Sequence, residues 1–376
     1  MSLITIEGFD HYDVDTWISK LIWNDGSINT SGGRYQGGGA WIANGDTGAY
    51  FQTGLGGNYQ EIIVGFALYL DGSENGLADD AVAFYDQGGT LQGRLSVGSG
   101  NTLFVTRGAS SIIATGSVSL TLQRWYYIEI RYKVSNTVGE VEVRIDGVVD
   151  INLSGADTQA STTYSSIRNV RFQTCRYPNG VRIDDLYILD TGSGARNDFL
   201  GDCRVDTLFP SSDGTTNDWT PLGGGSNYVE VDDNPPDEDT SYVYSSTDGD
   251  IDLYGHEVLS QATSVFGVQV SAYLQKDDAG ALWARLGVRS GGSNYFGTVE
   301  GVGASWAFQK EIFELNPATA SDWTTTSINA AEIGIERIGV VTTPAPTTLT
   351  SSPPTTAGPT TAAPTTLLTT AAPTTL

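Results

Sequence analysis

The chain has 376 residues, 46 of them glycine, with only 17% charged residues and a formal net charge of −25. That charge repels phosphates and anionic headgroups at every approach, which argues against nucleic acid and anionic bilayers as partners. Many glycines and few charges point to an all-β protein rich in turns, in one to three domains.

In chain order, Leu3, Thr5 and Glu7 alternate with Ile4 and Ile6 to form a first strand. The opening MSLITIEGFD lacks the basic start of a secretory leader, and no apolar run reaches the ~20 residues needed to cross a bilayer. The expectation is a chain neither membrane-spanning nor conventionally secreted. Residues 31–60 are glycine-rich loops and edge strands carrying Tyr35, Trp41, Tyr50 and Tyr59. Tyr177 stands in a later turn, RYPNG. Sugar rings stack on such aromatic faces, so these five are the candidate glycan-binding residues, although some of them must belong to the core.

IIVGFALYL (62–70) is apolar on both faces and predicts a central strand covered on both sides. Strands follow at 81–85, 91–97, 102–107 and 112–114. In WYYIEIRYKV, Tyr126, Ile128, Ile130, Tyr132 and Val134 share one face, with Tyr127, Glu129, Arg131 and Lys133 on the other. That period of two predicts a strand with one dry side. Val141, Val143 and Ile145 repeat the pattern, and Asp146-Gly147 signals a tight hairpin whose central residues need positive φ. Strands at 168–174 and 181–189 complete a series of short strands with turns about every 8–12 residues, the mark of a sandwich or jelly roll.

GRYQGGGAWI (33–42), IIVGFALYL, WYYIEIRYKV…GEVEVRIDGVV and the closing VRIDDLYILD (181–190) together resemble the concanavalin A-like, laminin-G-like jelly roll. The resemblance covers residues 1–192 and implies a fold that hosts many functions. A linker is expected at 193–200 and a second β-sandwich at 201–340, where 265–274 and 282–288 alternate cleanly. LGDCRVDTLFPSSDGTTNDWTP, YVEVDDNPPDEDTSYV and NPATASDWTTTSINAAEIGIERI resemble a segment that follows laminin-G-like domains in structural proteins of tailed bacteriophages. This resemblance implies a virion setting: synthesis in the host cytoplasm, display on the particle surface, contacts with other virion proteins, and homo-oligomers.

Residues 341–376 form a tail rich in Thr, Pro and Ala, uncharged and without aromatics. Proline fixes φ and removes donors, so polyproline II or disorder is expected. Pro344, Pro346, Pro353, Pro354, Pro359, Pro364 and Pro373 mark it as an extended tether or a strip lying on a partner.

Catalytic signals are sparse. A retaining glucanase of this fold class needs two carboxylates about 5–5.5 Å apart. The family pattern Glu-x-Asp-x-x-Glu does not occur, and Glu140 and Glu142 are expected to pair across strands with Lys133 and Arg131. His11 and His256 lie in different predicted domains and read as surface or loop residues. The glycine runs 37–39 and 223–225 precede no helix, so they read as turns and not phosphate loops. Asp184 and Asp185 on the closing strand offer hard oxygens; turn capping is the main reading and calcium the alternative, with no other cofactor implied. Cys175 and Cys203 are expected to be free, with a single bridge joining the end of the first domain to the next segment as the alternative.

The sequence thus predicts two β-sandwich (jelly-roll) domains and an extended Thr/Pro-rich tail. The expected protein is a non-enzymatic virion surface component, a capsid decoration or a fibre, that adheres to host glycan. A glycan-cleaving depolymerase and an adhesin on a mucin-like stalk are the alternatives.

Overall fold

The computed structural model describes residues 2–11, 22–24, 27–29, 31–35, 38–42, 50–71, 79–173, 181–192, 194–260, 262, 264–277, 279–339, 359–361 and 365–370. Two compact units emerge, Met1–Val205 together with Leu368–Leu376, and Asp206–Leu367.

The strands of the first unit begin with β1 (Leu3–Glu7), β2 (Ile22–Asn24), β3 (Ser27–Asn29), β4 (Ala40–Ile42) and β5 (Tyr50–Tyr59). They continue with β6 (Glu61–Leu70), β7 (Asp79–Tyr85), β8 (Leu91–Val97), β9 (Thr102–Arg107) and β10 (Ser111–Ser119). The last are β11 (Trp125–Lys133), β12 (Gly139–Ile145), β13 (Val148–Ala156), β14 (Ile167–Gln173) and β15 (Val181–Asp190). One eight-stranded sheet runs β13-β12-β11-β6-β15-β4-β3, with β1 also paired to β15; a seven-stranded sheet runs β10-β9-β8-β7-β14-β5-β2. Every pairing is antiparallel.

The sheets meet over an aromatic core. Phe172 stacks on Phe51 with centroids 4.7 Å apart and meets Phe66 of the opposite sheet edge-on at 5.2 Å. Such pairs add about 0.5–1.5 kcal/mol beyond the area they bury. Tyr132 crosses from β11 to Phe84 of β7, and its buried hydroxyl donates to the Thr158 carbonyl oxygen at 2.8 Å. The hairpin at Asp146 (φ 49°) and Gly147 (φ 80°) has the positive angles its sequence requires.

β6 is the central strand expected of it, lying between β11 and β15. The second face of β11 departs from expectation, because Tyr127 and Glu129 are fully buried. Residues 198–205 form a strap across them. The Gly201 N–H donates to Glu129 Oε1 at 2.9 Å, and the Leu200 N–H donates to the Tyr187 hydroxyl at 3.2 Å. Phe199 lies under the guanidinium groups of Arg131 (4.8 Å) and Arg144 (3.9 Å), and Arg131 donates to Asp198 at 2.5 Å. A strand that alternates perfectly in sequence is therefore buried on both sides at Tyr127 and Glu129, because a distant segment supplies a donor for the carboxylate. Lys133 pairs with Glu140 at 2.8 Å as expected, whereas Glu142 turns to Arg144 at 2.7 Å. His11, expected at the surface, is buried. Cys203 is free and buried; Cys175 lies outside the described residues.

The second unit is also β-built. Its elements run from β16 (Cys203–Leu208), which begins just before it, through β17 (Pro210–Asn217), β18 (Thr220–Pro221), β19 (Val243–Tyr244) and β20 (Ile251–His256). Next come β21 (Val265–Leu274), β22 (Trp283–Ser290), β23 (Ser293–Phe296), β24 (Glu300–Gly301) and β25 (Ala307–Phe313). A single helical turn α1 (Thr325–Asn329), β26 (Glu332–Ile338), β27 (Pro359–Thr361) and β28 (Thr365–Thr370) close the chain. One sheet is ordered β17-β20-β26-β22-β23, with β24 also on β22. Facing strands β18, β19, β21 and β25 share with it a core that includes Trp219, Val243, Val270, Leu286, Trp323 and Ile335. Asp252 is fully buried here, taking hydrogen bonds from Asn227 Nδ2 at 3.1 and 2.9 Å and from the Tyr254 hydroxyl.

The tail departs from the polyproline II expectation in two places, since β27 and β28 are strands. Threonine's branched side chain favours the extended pleat, and Pro359 opens β27, where a missing N–H costs least. Of the seven tail prolines, only Pro359 is among the described residues.

Candidate functional site

The outer face of the seven-stranded sheet carries an unusual set of side chains. In β14, Val170 and Phe172 point into the core, so Asn169, Arg171 and Gln173 point out. In β5, Phe51 points in and Tyr50 and Gln52 point out. Register then sets a row across four neighbouring pairs: Gln52 opposite Arg171, Arg171 opposite Ala83, Ala83 opposite Arg94, and Arg94 opposite Thr106. At ~4.8 Å between strands, the Arg171 and Arg94 backbones are about 10 Å apart.

The two arginines differ in what they hold. Arg94 Nη1 donates to Asp80 Oδ2 at 2.6 Å, Nη2 donates to the Ala109 carbonyl oxygen at 2.5 Å, and Ser96 Oγ donates to Asp80 Oδ1 at 2.8 Å. Its charge is neutralised by a buried partner. The Arg171 guanidinium carbon sits 4.0 Å from the Tyr50 ring centroid and 4.5 Å from that of Tyr85. Its Nε and Nη2 donate to Gln52 Oε1 at 3.2 and 3.0 Å. No carboxylate pairs with Arg171 among the described residues. Two aromatic rings and an amide thus hold a half-buried guanidinium in place while its Nη1 remains available. Stacking of this kind is worth about 0.5–2 kcal/mol and fixes the plane of the fork. One margin of the face is closed by the 159–164 loop, where Gln92 Nε2 donates to the Tyr164 carbonyl oxygen at 2.7 Å and the Ala160 N–H donates to Gln92 Oε1 at 2.9 Å.

Of the aromatic candidates whose side chains are described (Tyr35, Tyr50 and Tyr59), Tyr50 is the one placed beside Arg171. Tyr35 lies among the strap residues of the other sheet, between Arg34 (5.4 Å) and Arg204 (4.3 Å), and burial pushes its phenol up. Tyr59 ends β5, with its hydroxyl donating to the Leu55 carbonyl oxygen at 3.5 Å. Trp41 lies on β4, its side chain outside the described part of the molecule, and Tyr177 is outside the described residues altogether. Arg171, Tyr85 and Gln52 were missed because each looks ordinary in its own segment. The available signal was a polar alternation, Asn169-x-Arg171-x-Gln173, on a strand whose other face is apolar.

Asp184 and Asp185 occupy a bulge in β15, with Asp185 at φ 50°. All four carboxylate oxygens accept N–H donors: Asp184 from the Asp185 and Arg34 backbones (2.8 and 2.7 Å), Asp185 from Arg34 Nη1 and the Val205 backbone (3.5 and 2.8 Å). Burial pushes the Asp184 carboxyl well up, reinforced by Asp185 and Asp10. The pair anchors loops. No group of three or more metal-ligating side chains occurs among the described residues.

No family model and no curated protein matches the sequence. Solved structures match in fold. The cellulose-induced protein Cip1 is 16% identical with a TM-score of 0.36, over 47% of this chain and 87% of that one. The alginate lyase Aly36B is 11% identical with a TM-score of 0.36, over 52% and 98%. A sialidase of Trypanosoma rangeli is 17% identical with a TM-score of 0.32, over 44% of this chain and 27% of the enzyme. The β-sandwich fold rests on the antiparallel sheets described above, and none of these three structures is named as a bacteriophage protein. Two of them are enzymes by name, which corrects the expectation of a non-enzyme. The physical reason is that a missing Glu-x-Asp-x-x-Glu pattern removes one hydrolytic mechanism and leaves every other glycan chemistry open.

Proposed function

We propose that the outer face of the seven-stranded sheet binds a glycan bearing carboxylates, with Arg171 as its anchor. The observation that carries this reading is a guanidinium clamped by Tyr50, Tyr85 and Gln52 with no acidic partner among the described residues of a chain of net charge −25. A planar fork held ready for a carboxylate, beside phenol groups that can reach sugar hydroxyls, is the chemistry of uronate recognition.

A second reading is favoured by Tyr85, whose ring adjoins the same guanidinium. With a uronate carboxylate on Arg171, the Tyr85 oxygen, first deprotonated by solvent hydroxide, would take the C5 proton as the C5–H bond breaks and pass it to the glycosidic oxygen on C4. A C4–C5 double bond would form and the glycosidic oxygen would depart with a proton. Binding and cleavage are separated by one experiment. Purified protein is titrated with alginate, polygalacturonate and neutral glucan by calorimetry, and the ultraviolet absorbance of an unsaturated product is followed. Saturable binding to the uronates that Arg171→Ala abolishes supports the face as the site; unchanged binding in that variant refutes it. Appearance of the unsaturated product adds cleavage.

The virion setting is carried by the sequence resemblance of residues 200–339, and in it this face would serve host attachment. Detection of the chain in purified particles tests that part separately.

A further inference from the structure

The second unit contains a slot one strand wide, and the tail fills it. β27 pairs with β19 through Thr360 opposite Val243 and Pro359 opposite Tyr244. Its other side pairs with β21 through Thr361 opposite Tyr273 and Thr360 opposite Leu274. The far edge of β21 is already occupied by β25 along Val268–Leu274. A three-residue piece of the tail is thus the hydrogen-bonded bridge between β21 and the paired strands β18 and β19.

A slot read through the backbone accepts any segment of similar shape. Pro-Thr-Thr occurs five times in the tail, starting at Pro346, Pro354, Pro359, Pro364 and Pro373. Residues 340–358 precede the bound copy, and at ~3.3 Å per residue such a stretch can span roughly 60 Å, far enough to reach a neighbouring molecule. No residue from Thr342 to Leu376 is charged, so the tail approaches another acidic body without the repulsion that body meets from its own kind.

We propose that the slot between β19 and β21 is a receptor for Pro-Thr-Thr strands, and that the tail of a second copy fills it where copies are crowded. Exchange of an identical element keeps every hydrogen bond, so its free-energy cost is that of bringing two chains together. Covalent linkage holds a chain's own tail at an effective concentration of about millimolar, so exchange requires comparable local density. An ordered array of this chain meets that condition.

The test uses two full-length populations, one carrying Tyr244→Cys and the other Pro359→Cys, both at exposed or tail positions. They are mixed at micromolar and near-millimolar concentration and oxidised, and disulfides are mapped by mass spectrometry. The expected result is a dimer joined through positions 244 and 359. It appears at the higher concentration, falls at least tenfold on dilution, and is lost when excess synthetic GPTTAAPTT is present. Closure within one chain in the double variant, with no mixed dimer near millimolar, overturns exchange. Absence of both products overturns the slot itself.

Discussion

The Tyr187 hydroxyl donates to Glu129 Oε1 at 2.5 Å, reaching over Gly65 of the strand that separates them. Both residues are fully buried, and Glu129 Oε2 has no partner among the described residues. Burial pushes the Glu129 carboxyl up, against hydrogen bonds from Tyr187 and Gly201 that pull it down. The link closes the outer side of the eight-stranded sheet and holds the strap at Gly201.

Removing the hydroxyl in Tyr187→Phe leaves a buried carboxylate short of a donor. The expected loss is about 1–3 kcal/mol of first-unit stability, measured by urea unfolding. Glu129→Gln, which still accepts from Tyr187 and carries no charge to desolvate, is expected to lose less. Equal losses would show that the charge itself matters to the strap.

Gly65 has no room for a side chain, because a Cβ there would overlap the Tyr187 ring. Gly65→Ala is expected to cost about 1–3 kcal/mol by overpacking, and the double variant with Tyr187→Ala should recover part of that loss. Purely additive losses would show that the ring does not depend on that glycine.

Arg171→Lys keeps the charge and loses the stacked, forked geometry. It is expected to weaken uronate binding by about tenfold or more, the equivalent of ~1.4 kcal/mol. Salt offers a second check. Body and ligand repel at long range, and ~0.15 M salt screens that repulsion beyond about 8 Å while leaving a close, half-buried contact largely intact. Affinity is expected to hold or rise with salt up to that level, and a steep fall would place the binding on exposed charge instead.

Asp252 supplies a pH dependence. Burial pushes its carboxyl from 3.8 up to about 7, opposed by hydrogen bonds from Tyr254 and Asn227 and reinforced by Asp213 and Asp218. The folded unit therefore holds the proton more tightly than the unfolded chain. The stabilisation is complete below the ordinary value of 3.8 and is lost as pH rises through about 7. The melting temperature of the second unit should fall across that window, and Asp252→Asn should flatten the slope. An unchanged slope would assign the dependence to other carboxylates.

Much of the fold was legible in local pattern. The period of two in 125–134 and 139–145, the doubly apolar run 62–70 and the Asp146-Gly147 turn each correspond to a structural element. The site was far less legible. Tyr50 stood out as an aromatic in a glycine-rich stretch, but Arg171 and Tyr85 come from strands 86 residues apart that only sheet pairing makes neighbours. The acidic pair on β15 left turn capping and calcium both open in sequence, because a sequence shows carboxylates and not the N–H groups that reach them.

The amino-acid order by itself settled what each segment could be, because strand geometry turns alternation into faces and glycine into turns. It also set the acidic charge and the uncharged repeat of the tail. Which faces meet solvent was decided only by tertiary structure. The strap at 198–205 buries a face that its alternation marks as exposed, and the order β8-β7-β14-β5 assembles one arginine, two tyrosines and a glutamine from segments distant in the chain. Register joins residues without regard to their separation, so this face exists only in the folded sheet.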